Sequence, residues 1–259
     1  MSGDFSSGDF WRLIESGQNA HAKRWNDLDD GRGIKKHGEF LLAGRKSVPE
    51  ALIRHPDRFQ AILICDPMDV SDLALPEGID RFRLSRSLFD KLDVSGTNFP
   101  LLVGKAPALP RADLAAAPRG LELVCALGDP NNLGALFRSA AAFGARRVIL
   151  MEEAAHPFHP KALRAAANAQ FELELLRGPS WTEIGGAAGP LIALDGGGED
   201  MAAFRWPRDL RLVLGEEGLG VPADFKAQRL AIPTSGAVES LNATVAASLA
   251  LYSYYLSAR

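Results

Sequence analysis

Residues 121–151 read LELVCALGDPNNLGALFRSAAAFGARRVILM and predict a strand, a loop, a helix and a second strand in succession. The apolar run at 121–127 is typical of a buried strand, as is the closing RVILM. Between them, Asn132 can cap a helix over 133–143, and Gly144 suits the left-handed conformation that ends many helices. A strand, a helix and a second strand in this order form a βαβ unit, so the stretch predicts an α/β fold.

The same alternation continues from this stretch to the end of the sequence. Further strands are predicted for FELELL, LIAL, RLVLG and RLAIP, and helices for 161–168 and 242–256. Strands rich in leucine and valine that alternate with helices indicate a mostly parallel sheet, whose ligands lie beyond the carboxyl ends of the strands. Three loops leave strand ends there, and they read GDPNNLG, GEEGLG and IPTSGAVESLN.

A smaller α/β region is predicted before this unit. Strand patterns at EFLLA, AILIC and 99–103 alternate with helical patterns at 48–54 and 85–92. The stretch KAPALPRADLAAAPRG, which is rich in proline and alanine and has no periodicity, separates the two regions. We therefore predict four parts, which are a disordered segment 1–13, an N-terminal domain 14–105, a linker 106–119 and a C-terminal domain 120–259.

The composition limits location and partners. Of the 259 residues, 47% are hydrophobic, and no apolar run reaches the roughly 18 residues of a membrane span. The first residues lack a secretory signal pattern, and Cys65 and Cys125 lie in separate apolar runs. These features predict buried, reduced thiols and a cytoplasmic protein that is not bound to a membrane. The net charge of −3 gives no overall basic footprint, so any charge that binds a nucleic acid must be local.

The first loop and its helix carry polar residues that can hold an anionic group. Asn132 and Arg138 are six residues apart, which is nearly two helical turns, and we expect them on broadly the same side of the helix. An arginine fixed there can hold a phosphate or stabilise a reacting oxygen. Alternatively, Asn132 only caps the helix and Arg138 covers an exposed face.

The second and third loops add glycines, a carboxylate and small polar side chains. The glycines of GEEGLG let the backbone approach a ligand closely, and Glu217 adds a fixed negative charge, although a tight turn explains the same pattern. Their spacing is not that of a G-x-G-x-x-G dinucleotide fingerprint. In the third loop, Ser240 and Asn242 precede an apolar helix, and either can serve as its N-cap.

Together these motifs resemble the SpoU/TrmH family of RNA 2′-O-ribose methyltransferases, within the knotted SPOUT superfamily. The stretches that carry the resemblance are DPNNLGALFRSAAAFGARRVIL, LVLGEEGLG and IPTSGAVESLNATVAASLALY. Upstream, IESGQNAHAKRWNDL and GEFLLAGRKSV resemble the ribosomal-protein-like substrate-binding domain of many members. The resemblance therefore implies a C-terminal SPOUT α/β domain with a deep trefoil knot, preceded by an N-terminal RNA-binding domain.

The resemblance implies S-adenosylmethionine as the methyl donor and no metal. The cofactor is expected to bind through backbone groups of the last two motifs, between walls that include the LDGGG loop. The positions are Gly215, Ile232 and Leu241 for the backbone contacts and Leu214, Pro233, Leu194 and Gly196 for the walls. His156 and His159 lie between prolines without a nearby cysteine, which favours a proline-rich loop over a metal site.

The resemblance also assigns roles in catalysis. Arg138 matches the family's catalytic arginine. Because a guanidinium stays protonated in proteins, we expect it to act as a fixed cation that positions a phosphate and stabilises the developing alkoxide. Asn132 is expected to orient the ribose or Arg138, and Glu217 to steady its loop. Ser240 and Asn242 are expected to line the pocket.

Members of the family are homodimers, so the resemblance implies a second copy of the chain as a partner. The last helix agrees with this, because it carries an apolar stripe and further apolar residues on other sides. The stripe consists of Val245, Leu249, Tyr252 and Leu256. A helix that is buried within a single subunit explains the same pattern.

RNA is the expected substrate, and cations cluster locally enough to contact its phosphates. The residues predicted for this role are Arg45, Lys46, Lys35, Lys36, Lys161 and Arg164. The sequence departs from the family pattern where Ala166 replaces a serine, Asn168 a glycine and Ala43 a glutamate. A fourth departure, Glu216 in place of an asparagine, lies in the second motif loop, and none of the four touches Asn132, Arg138 or the SLN run.

The sequence therefore predicts an S-adenosylmethionine-dependent methyltransferase that acts on a ribose 2′-hydroxyl in ribosomal RNA. Ribosomal RNA is favoured over transfer RNA because the N-terminal domain resembles that of rRNA-directed members. An RNA-binding protein of the same fold without methylation activity is the alternative from another class. A nucleotide-dependent dehydrogenase would need a glycine fingerprint before the first helix, which GDPNNLG does not provide.

Overall fold

The computed structural model describes residues 10–258, and they divide into two compact units. The first unit comprises the described residues up to Ala108 together with Phe158–Arg164, and the second comprises Leu109–Pro157 and the described residues from Ala165 onward. The boundary after Ala108 falls inside the predicted linker 106–119. Phe158–Arg164 belongs to the first unit although the sequence pattern assigns it to 120–259; Phe158 stacks on Phe40, with ring centroids 4.9 Å apart.

Within the described residues, the first unit contains a mixed five-stranded sheet. Its elements in chain order are β1 (Arg12–Ile14), α1 (Ala20–Asn26), α2 (Gly31–His37), β2 (Glu39–Leu42), α3 (Ser47–Arg54), β3 (Phe59–Ile64), β4 (Asp80–Leu84), α4 (Arg86–Leu92) and β5 (Leu101–Lys105). The strand order is β1-β4-β3-β5-β2, in which β1, β4 and β3 run parallel and β5 runs antiparallel to both of its neighbours. Trp25, Phe40 and Phe89 are buried and form part of its core.

Strand β1 corrects the prediction that residues 1–13 are disordered. Arg12 and Leu13 pair in parallel with Phe82 and Arg83 of β4, and the part of the prediction that concerns 1–9 lies outside the described residues. A terminal segment becomes ordered when a sheet edge supplies its backbone hydrogen bonds. The edge in question, β4, is itself not predicted, because three of its five residues (DRFRL) are charged and the stretch is too short to show a periodicity.

Within the described residues, the second unit contains a six-stranded sheet in which all neighbouring strands run parallel. The elements after β5 are β6 (Leu121–Cys125), α5 (Pro130–Ala142), β7 (Arg147–Leu150), α6 (Pro160–Ala166), β8 (Glu174–Arg177), β9 (Leu191–Asp200), β10 (Leu210–Leu214), β11 (Gln228–Ala231) and α7 (Ala243–Ser257). Short 3-10 helices lie at Asp27–Asp29, Pro56–Arg58, Ala169–Glu172 and Met201–Ala203. The predicted α/β class with a mostly parallel sheet is confirmed, and the trefoil knot stays a prediction.

The order of the second sheet, β11-β9-β10-β6-β7-β8, brings the motif loops together at the carboxyl ends of its strands. Strands β6 and β10 are neighbours, and Cys125 at the end of β6 pairs with Leu214 at the end of β10. The loops that follow these two strands therefore leave the sheet side by side. Leu123, Phe137 and Leu212 are fully buried in the core of this unit.

The residues 109–119 that were predicted as linker pack along the second unit. The N–H of Arg177 donates to the Pro110 carbonyl oxygen, and the N–H of Ala112 donates to the Arg177 carbonyl oxygen, both at 2.8 Å. The buried Arg211 guanidinium donates to the carbonyl oxygens of Leu114 (3.1 Å) and Ala116 (2.8 Å). A segment without periodicity is ordered here because a buried arginine uses its backbone carbonyls as acceptors.

Candidate active site

The three loops at the carboxyl edge of the second sheet meet at Asn132. Its Nδ2 group donates to Glu217 Oε1 (3.2 Å), and its Oδ1 atom accepts from Nδ2 of Asn242 (3.0 Å). The hydroxyl of Thr244, which the sequence did not single out, donates to the Asn132 carbonyl oxygen (2.9 Å). One half-buried residue therefore joins the first loop to the second and third through its side chain, and to the start of α7 through its backbone carbonyl.

Helix α5 begins at Pro130, with Asp129 as its N-cap. The Asp129 Oδ1 atom accepts from the N–H groups of Asn131 (2.6 Å) and Asn132 (3.4 Å), and the proline occupies a position that needs no N–H donor. The prediction that Asn132 is the N-cap is therefore wrong, because an aspartate followed by proline starts the helix three residues earlier. The Asn132 side chain is left for the contacts between the loops.

Glu217 connects the second loop to the first. Its Oε2 atom accepts from the N–H of Gly128 (2.9 Å), and its Oε1 atom accepts from the N–H of Asp129 (3.2 Å) as well as from Asn132. Backbone N–H groups at this position would otherwise point to solvent before the helix begins. These contacts support the expected role of Glu217 in steadying its loop.

The second loop is closed on itself around Gly215. Two backbone hydrogen bonds join Glu216 and Gly220, at 3.2 and 2.8 Å. A Cβ atom at Gly215 would lie 2.1 Å from the carbonyl carbon of Gly220, so only glycine permits this closure. The tight turn and the carboxylate contact coexist, so the two interpretations of GEEGLG do not exclude each other.

Arg138 lies on another side of α5 from Asn132. Six residues at about 100° each place the two side chains about 120° apart around the helix, so the expected shared side is not observed. Arg138 is exposed and lines a groove of about 620 Å³ between α5 and α7, together with Ser248 and Leu249. Among residues 10–258 it forms no hydrogen bond or ion pair, so no carboxylate neutralises its charge.

Helix α7 begins after Asn242, which settles the choice of N-cap. The Asn242 Oδ1 atom accepts from the N–H groups of Thr244 (2.9 Å) and Val245 (3.2 Å), and the Asn242 Nδ2 group donates to Asn132. Ser240 is exposed and, within the part of the chain that the structure describes, forms no hydrogen bond. The structure therefore brings Asn242 to the loop junction but not Ser240.

The apolar stripe of α7 is exposed in the single chain. Its members are between 42% and 51% exposed, and they are Val245, Leu249, Tyr252 and Leu256. Beside the stripe, α7 packs against α5, where the hydroxyls of Ser139 and Ser248 lie 2.7 Å apart. The helix is thus not buried within one subunit, and the stripe borders the groove that contains Arg138.

The positions predicted for the cofactor lie within β9, at the ends of β10 and β11, and just before α7. They are Leu214 and Gly215 at the end of β10, Ile232 and Pro233 after β11, Leu241 before α7, and Leu194 and Gly196 in β9. Leu194, Ile232 and Leu241 are half-buried and offer apolar surface, and a Cβ atom at Gly196 would meet open space. The set fits a ligand that binds through backbone groups between apolar walls.

Strand β9 continues through the LDGGG stretch instead of ending at Leu194 as predicted. Its register with β11 shifts after Arg229, so that residues 194–198 are skipped by the ladder. A Cβ atom at Gly198 would lie 2.4 Å from the carbonyl carbon of Arg229, so glycine is required where the two strands rejoin. The skipped residues form a bulge in the predicted wall of the cofactor site.

Arg229 holds two parts of this region together, and the sequence prediction missed it. Its guanidinium pairs with Asp195 in the LDGGG stretch and donates to the Pro222 carbonyl oxygen (2.6 Å) beyond the second loop. The N–H of Gly197, and then Arg229, lower the pKa of Asp195 below its usual value. The one signal in the sequence is a charged residue inside the strand RLAIP.

Both cysteines are free and buried, as predicted. Burial raises the pKa of Cys125, at the end of β6, to about 12. The thiol is therefore neutral at physiological pH and is not a nucleophile beneath the loops. Among residues 10–258, no three His, Cys, Asp or Glu side chains come together as metal ligands, and no helix is long and apolar enough to span a bilayer.

The cations predicted to bind RNA separate into two groups. Three of them line one cleft of about 470 Å³ in the first unit, and they are Arg45, Lys46 and Arg164. The others are Lys35, Lys36 and Lys161, which are not in its lining. Lys36 instead pairs with Asp27, with 2.9 Å between Nζ and Oδ2.

Two of the departures from the family pattern have a structural explanation. Asn168 adopts φ +70°, a left-handed conformation that asparagine tolerates better than most residues other than glycine. The backbone that a glycine would form is therefore kept. Ala43 lines the cleft described above, where a glutamate would add a negative charge. Ala166 is buried, and nothing in the structure explains the loss of a hydroxyl there.

Two kinds of comparison relate the chain to known proteins. The family model described as SpoU rRNA Methylase family matches residues 123–252. A protein of Syntrophobacter fumaroxidans, named ribosomal RNA small subunit methyltransferase G 2, is 37% identical over 245 residues, which are 94% of this chain and 49% of that protein. The chain thus spans about half the length of this relative.

Two further proteins match over nearly their whole length. The 23S rRNA (guanosine(2553)-2′-O)-methyltransferase RlmP of Bacillus subtilis is 33% identical over 250 residues, covering 93% of this chain and 98% of that protein. The crystal structure of the SpoU methyltransferase AviRb from Streptomyces viridochromogenes, in complex with the cofactor AdoMet, superposes with a TM-score of 0.73 and 25% identity over 92% of this chain and 98% of that one. The chain belongs to the SpoU rRNA methylase family.

Proposed function

We propose that this chain transfers the methyl group of S-adenosylmethionine to the 2′-hydroxyl of a ribose in ribosomal RNA. The observation that carries the proposal is the junction at Asn132, which joins the three motif loops at one edge of a parallel sheet. Membership of the family, the name of RlmP and the AdoMet complex of AviRb support the reaction, the substrate class and the methyl donor, respectively.

We assign cofactor binding to β9, to the ends of β10 and β11, and to the residue just before the N-cap of α7. S-adenosylmethionine, when bound, supplies an electrophilic methyl group on a sulfonium. Backbone groups of Gly215, Ile232 and Leu241 are proposed to hold it, and Leu194, Leu214, Pro233 and Gly196 to form the walls. The pair of Arg229 and Asp195 keeps the LDGGG bulge in place beside the second loop.

Arg138 is proposed to act as a fixed cation on the substrate side. It is exposed and no carboxylate neutralises it, so it can hold a phosphate next to the reacting ribose. A guanidinium does not give up its proton in a protein, so it cannot take one from the hydroxyl. We therefore assign Arg138 stabilisation of the alkoxide, and the hydroxyl proton passes to solvent water as the oxygen is methylated. Asn132 and Glu217 are proposed to keep the first loop, and with it α5, in position. Ser240 stays a prediction as a pocket residue.

Ribosomal RNA is the favoured substrate because RlmP, by its name, acts on 23S rRNA. Transfer RNA is the alternative within the same reaction. We place the reaction in the cytoplasm, where ribosomal RNA is modified. An RNA-binding protein of this fold without activity is the alternative from another class. A titration with S-adenosylmethionine separates it from the enzyme, because only the enzyme has to bind the methyl donor.

The test is incubation of the protein with S-adenosylmethionine labelled on the methyl group and with total RNA. We expect label in ribosomal RNA, in dinucleotides that resist alkali, because a 2′-O-methyl group blocks the attack that cleaves the chain. Arg138→Ala should bind S-adenosylmethionine normally and lose methyl transfer by roughly 10² to 10³, which is typical when a preorganised charge is removed from a transition state.

Arg146→Ala is the matched control, because Arg146 is an exposed arginine of the same unit just after α5. It should methylate at the wild-type rate. Near-normal turnover of Arg138→Ala would overturn the role of Arg138. Failure of the unchanged protein to bind S-adenosylmethionine would overturn the function itself.

We further propose that the partner of α7 is a second copy of this chain. The exposed stripe of α7 and the adjoining groove are apolar and contain Arg138, so a second copy on this face would stand beside the substrate site. Exposed apolar stripes of this kind mark interaction surfaces. Sedimentation equilibrium should give twice 27.8 kDa, and a monomer at the concentrations of the methylation assay would contradict the proposal.

A further inference from the structure

The first unit contains a cleft in which positive charge is concentrated. It lies where the turn after β2, the segment after α4 and one residue of α6 come together, and its volume is about 470 Å³. We call it the cation cleft, and its lining consists of Ala43, Gly44, Arg45, Lys46, Ser47, Ser95, Gly96, Thr97 and Arg164. Three lining residues are cations and none is acidic.

Arg45 is fixed in the cation cleft without being neutralised. Its Nε group donates to the Thr97 carbonyl oxygen (3.1 Å) and its Nη2 group to the Asn98 carbonyl oxygen (3.3 Å). The guanidinium carbon lies 5.9 Å from the centre of the Phe99 ring. Carbonyl oxygens and a ring orient a guanidinium but carry no net charge, so its positive charge remains available to a ligand.

The other two cations of the cleft also lack carboxylate partners. Lys46 is exposed, and neither it nor Arg164 forms an ion pair within residues 10–258. Elsewhere in the unit some cations face acids, as Arg24 faces Glu39 at 3.0 Å. An uncompensated group of three cations on one cleft is costly unless solvent or an anion offsets their repulsion.

The remaining lining suits a compact anion. The serines of the lining supply hydroxyl groups, and Gly44 adopts φ +133° in the turn beside Arg45. Helix α3 begins at the cleft with Lys46 in the N-cap position and no side-chain cap. Asp93, which contacts Thr97, is buried, and its carboxylate accepts from the Thr97 hydroxyl (3.1 Å) and from a backbone N–H.

We propose that the cation cleft binds one phosphodiester group of the RNA substrate through Arg45, Lys46 and Arg164. The proposal rests on the proposed function, because it takes RNA as the ligand of this chain. A phosphodiester carries one negative charge on two exposed oxygens, which a guanidinium and an ammonium can share. The cations outside the cleft lining, Lys35, Lys36 and Lys161, are not part of this site.

The test is binding of protein-free ribosomal RNA to the full chain over a series of KCl concentrations. Arg45→Ala, Lys46→Ala and the double variant should bind roughly tenfold more weakly, as expected for lost hydrogen bonds to a charged group. The plot of log affinity against log salt should become less steep by about 1. The double variant should lose little more slope than either single one, because all act on the same phosphate.

Lys23→Ala is the matched control, since Lys23 is an exposed lysine on α1 that does not line the cleft. It should leave affinity and slope unchanged. A slope equal to that of the unchanged protein in the double variant would overturn the proposal, and so would an equal loss in Lys23→Ala. Lys46→Ala keeps the test valid if Arg45→Ala loosens the segment 97–99, which a urea unfolding curve would reveal.

Two readouts separate this proposal from the proposed function. Affinity for S-adenosylmethionine should stay at the wild-type level in the cleft variants, whereas the RNA concentration that gives half-maximal methyl transfer should rise. Loss of cofactor binding in the unchanged protein counts against the function and leaves the salt slopes measurable. Oligoribonucleotides with uncharged methylphosphonate linkages should bind the variant and the unchanged protein equally; a persistent difference would mean that the cleft binds something other than the phosphate.

Discussion

The two ends of the second sheet use charged residues in opposite ways. At the amino end, Arg211 and Glu122 are almost completely buried, their side chains are 2.9 Å apart, and Glu122 also receives Arg147 at 3.3 Å. At the carboxyl end, Asn132 joins the loops through neutral amide groups and Arg138 has no partner within the described residues. The amino end is closed by buried ion pairs, whereas at the carboxyl end the pair of Arg229 and Asp195 is partly exposed and Arg138 stays unpaired among the described residues.

The difference teaches when an arginine is structural and when it is free to act. Four of the five N–H groups of Arg211 donate hydrogen bonds, to Glu122 and to the carbonyl oxygens of Leu114, Ala116 and Ala188. Such a side chain stabilises the folded state only if all of its partners are present, because burial of an unpaired charge costs free energy. Arg138 has none of these constraints. The same residue type therefore anchors a segment at one end and is proposed to bind substrate at the other.

The largest expected effect is on stability and comes from Arg211→Ala. Removal of one partner leaves Glu122 buried with its charge only partly paired and releases the carbonyls of 109–119, so the free energy of unfolding should fall by about 3–5 kcal/mol. Urea unfolding measures this. Methyl transfer per folded molecule should stay near the wild-type value, because Arg211 lies at the end of the sheet opposite the loops.

Arg205→Ala is the control for Arg211→Ala, as it removes an exposed arginine of the same unit. Its unfolding curve should match that of the unchanged protein within about 0.5 kcal/mol. The comparison between the two ends would fail if Arg211→Ala kept full stability, or if it lost methyl transfer while still folded.

A smaller effect, this time on activity, is expected for Asn132→Asp. The introduced carboxylate keeps an acceptor for Asn242 but faces Glu217 in place of an amide donor that lies 3.2 Å from Oε1. Repulsion should displace the first loop and lower methyl transfer about 10²-fold near neutral pH, which is what a small misplacement costs. Because two close carboxylates share a proton more readily as pH falls, the variant should recover relative to wild type in acid.

Asn132→Ala gives the matched comparison for this pH dependence. It also breaks the junction but introduces no titrating group, so its activity relative to wild type should not change with pH. Methylation rates of both variants, measured over a pH series, test whether only the aspartate variant depends on pH. Equal profiles for the aspartate and alanine variants would mean that Glu217 does not act on the residue at 132.

Much of the fold is predictable because apolar runs of fixed length determine it. The stretches LELVCAL and RVILM become strands as predicted, and the amphipathic run between them becomes α5. The start of α5 is missed because Asp129 and Asn132 are both good caps, and only the proline after Asp129 distinguishes them. Strand β4 is missed because three of its five residues are charged, and its pairing with β1 and β3 has no local signal.

The site is less predictable than the fold, since its contacts join residues far apart in the sequence. The motif loops are recognisable, but the hydrogen bond between Asn132 and Asn242 spans 110 residues and has no local signal. Arg229 and Arg211 each look like one charged residue in an apolar strand, yet one holds a loop and the other a buried carboxylate. Sequence patterns give the residue types; the partners depend on strand order.

The smallest expected effect comes from Asn242, where cap and junction can be separated. Asn242→Ala should cost about 1 kcal/mol of unfolding free energy because α7 loses its N-cap, whereas Asn242→Gly should cost only about a few tenths. Both variants lose the donor to Asn132, so methyl transfer should fall equally in the two, by about tenfold. If activity instead followed stability, with the glycine variant nearly as active as wild type, Asn242 would serve only as an N-cap. Its hydrogen bond to Asn132 would then contribute nothing to methyl transfer.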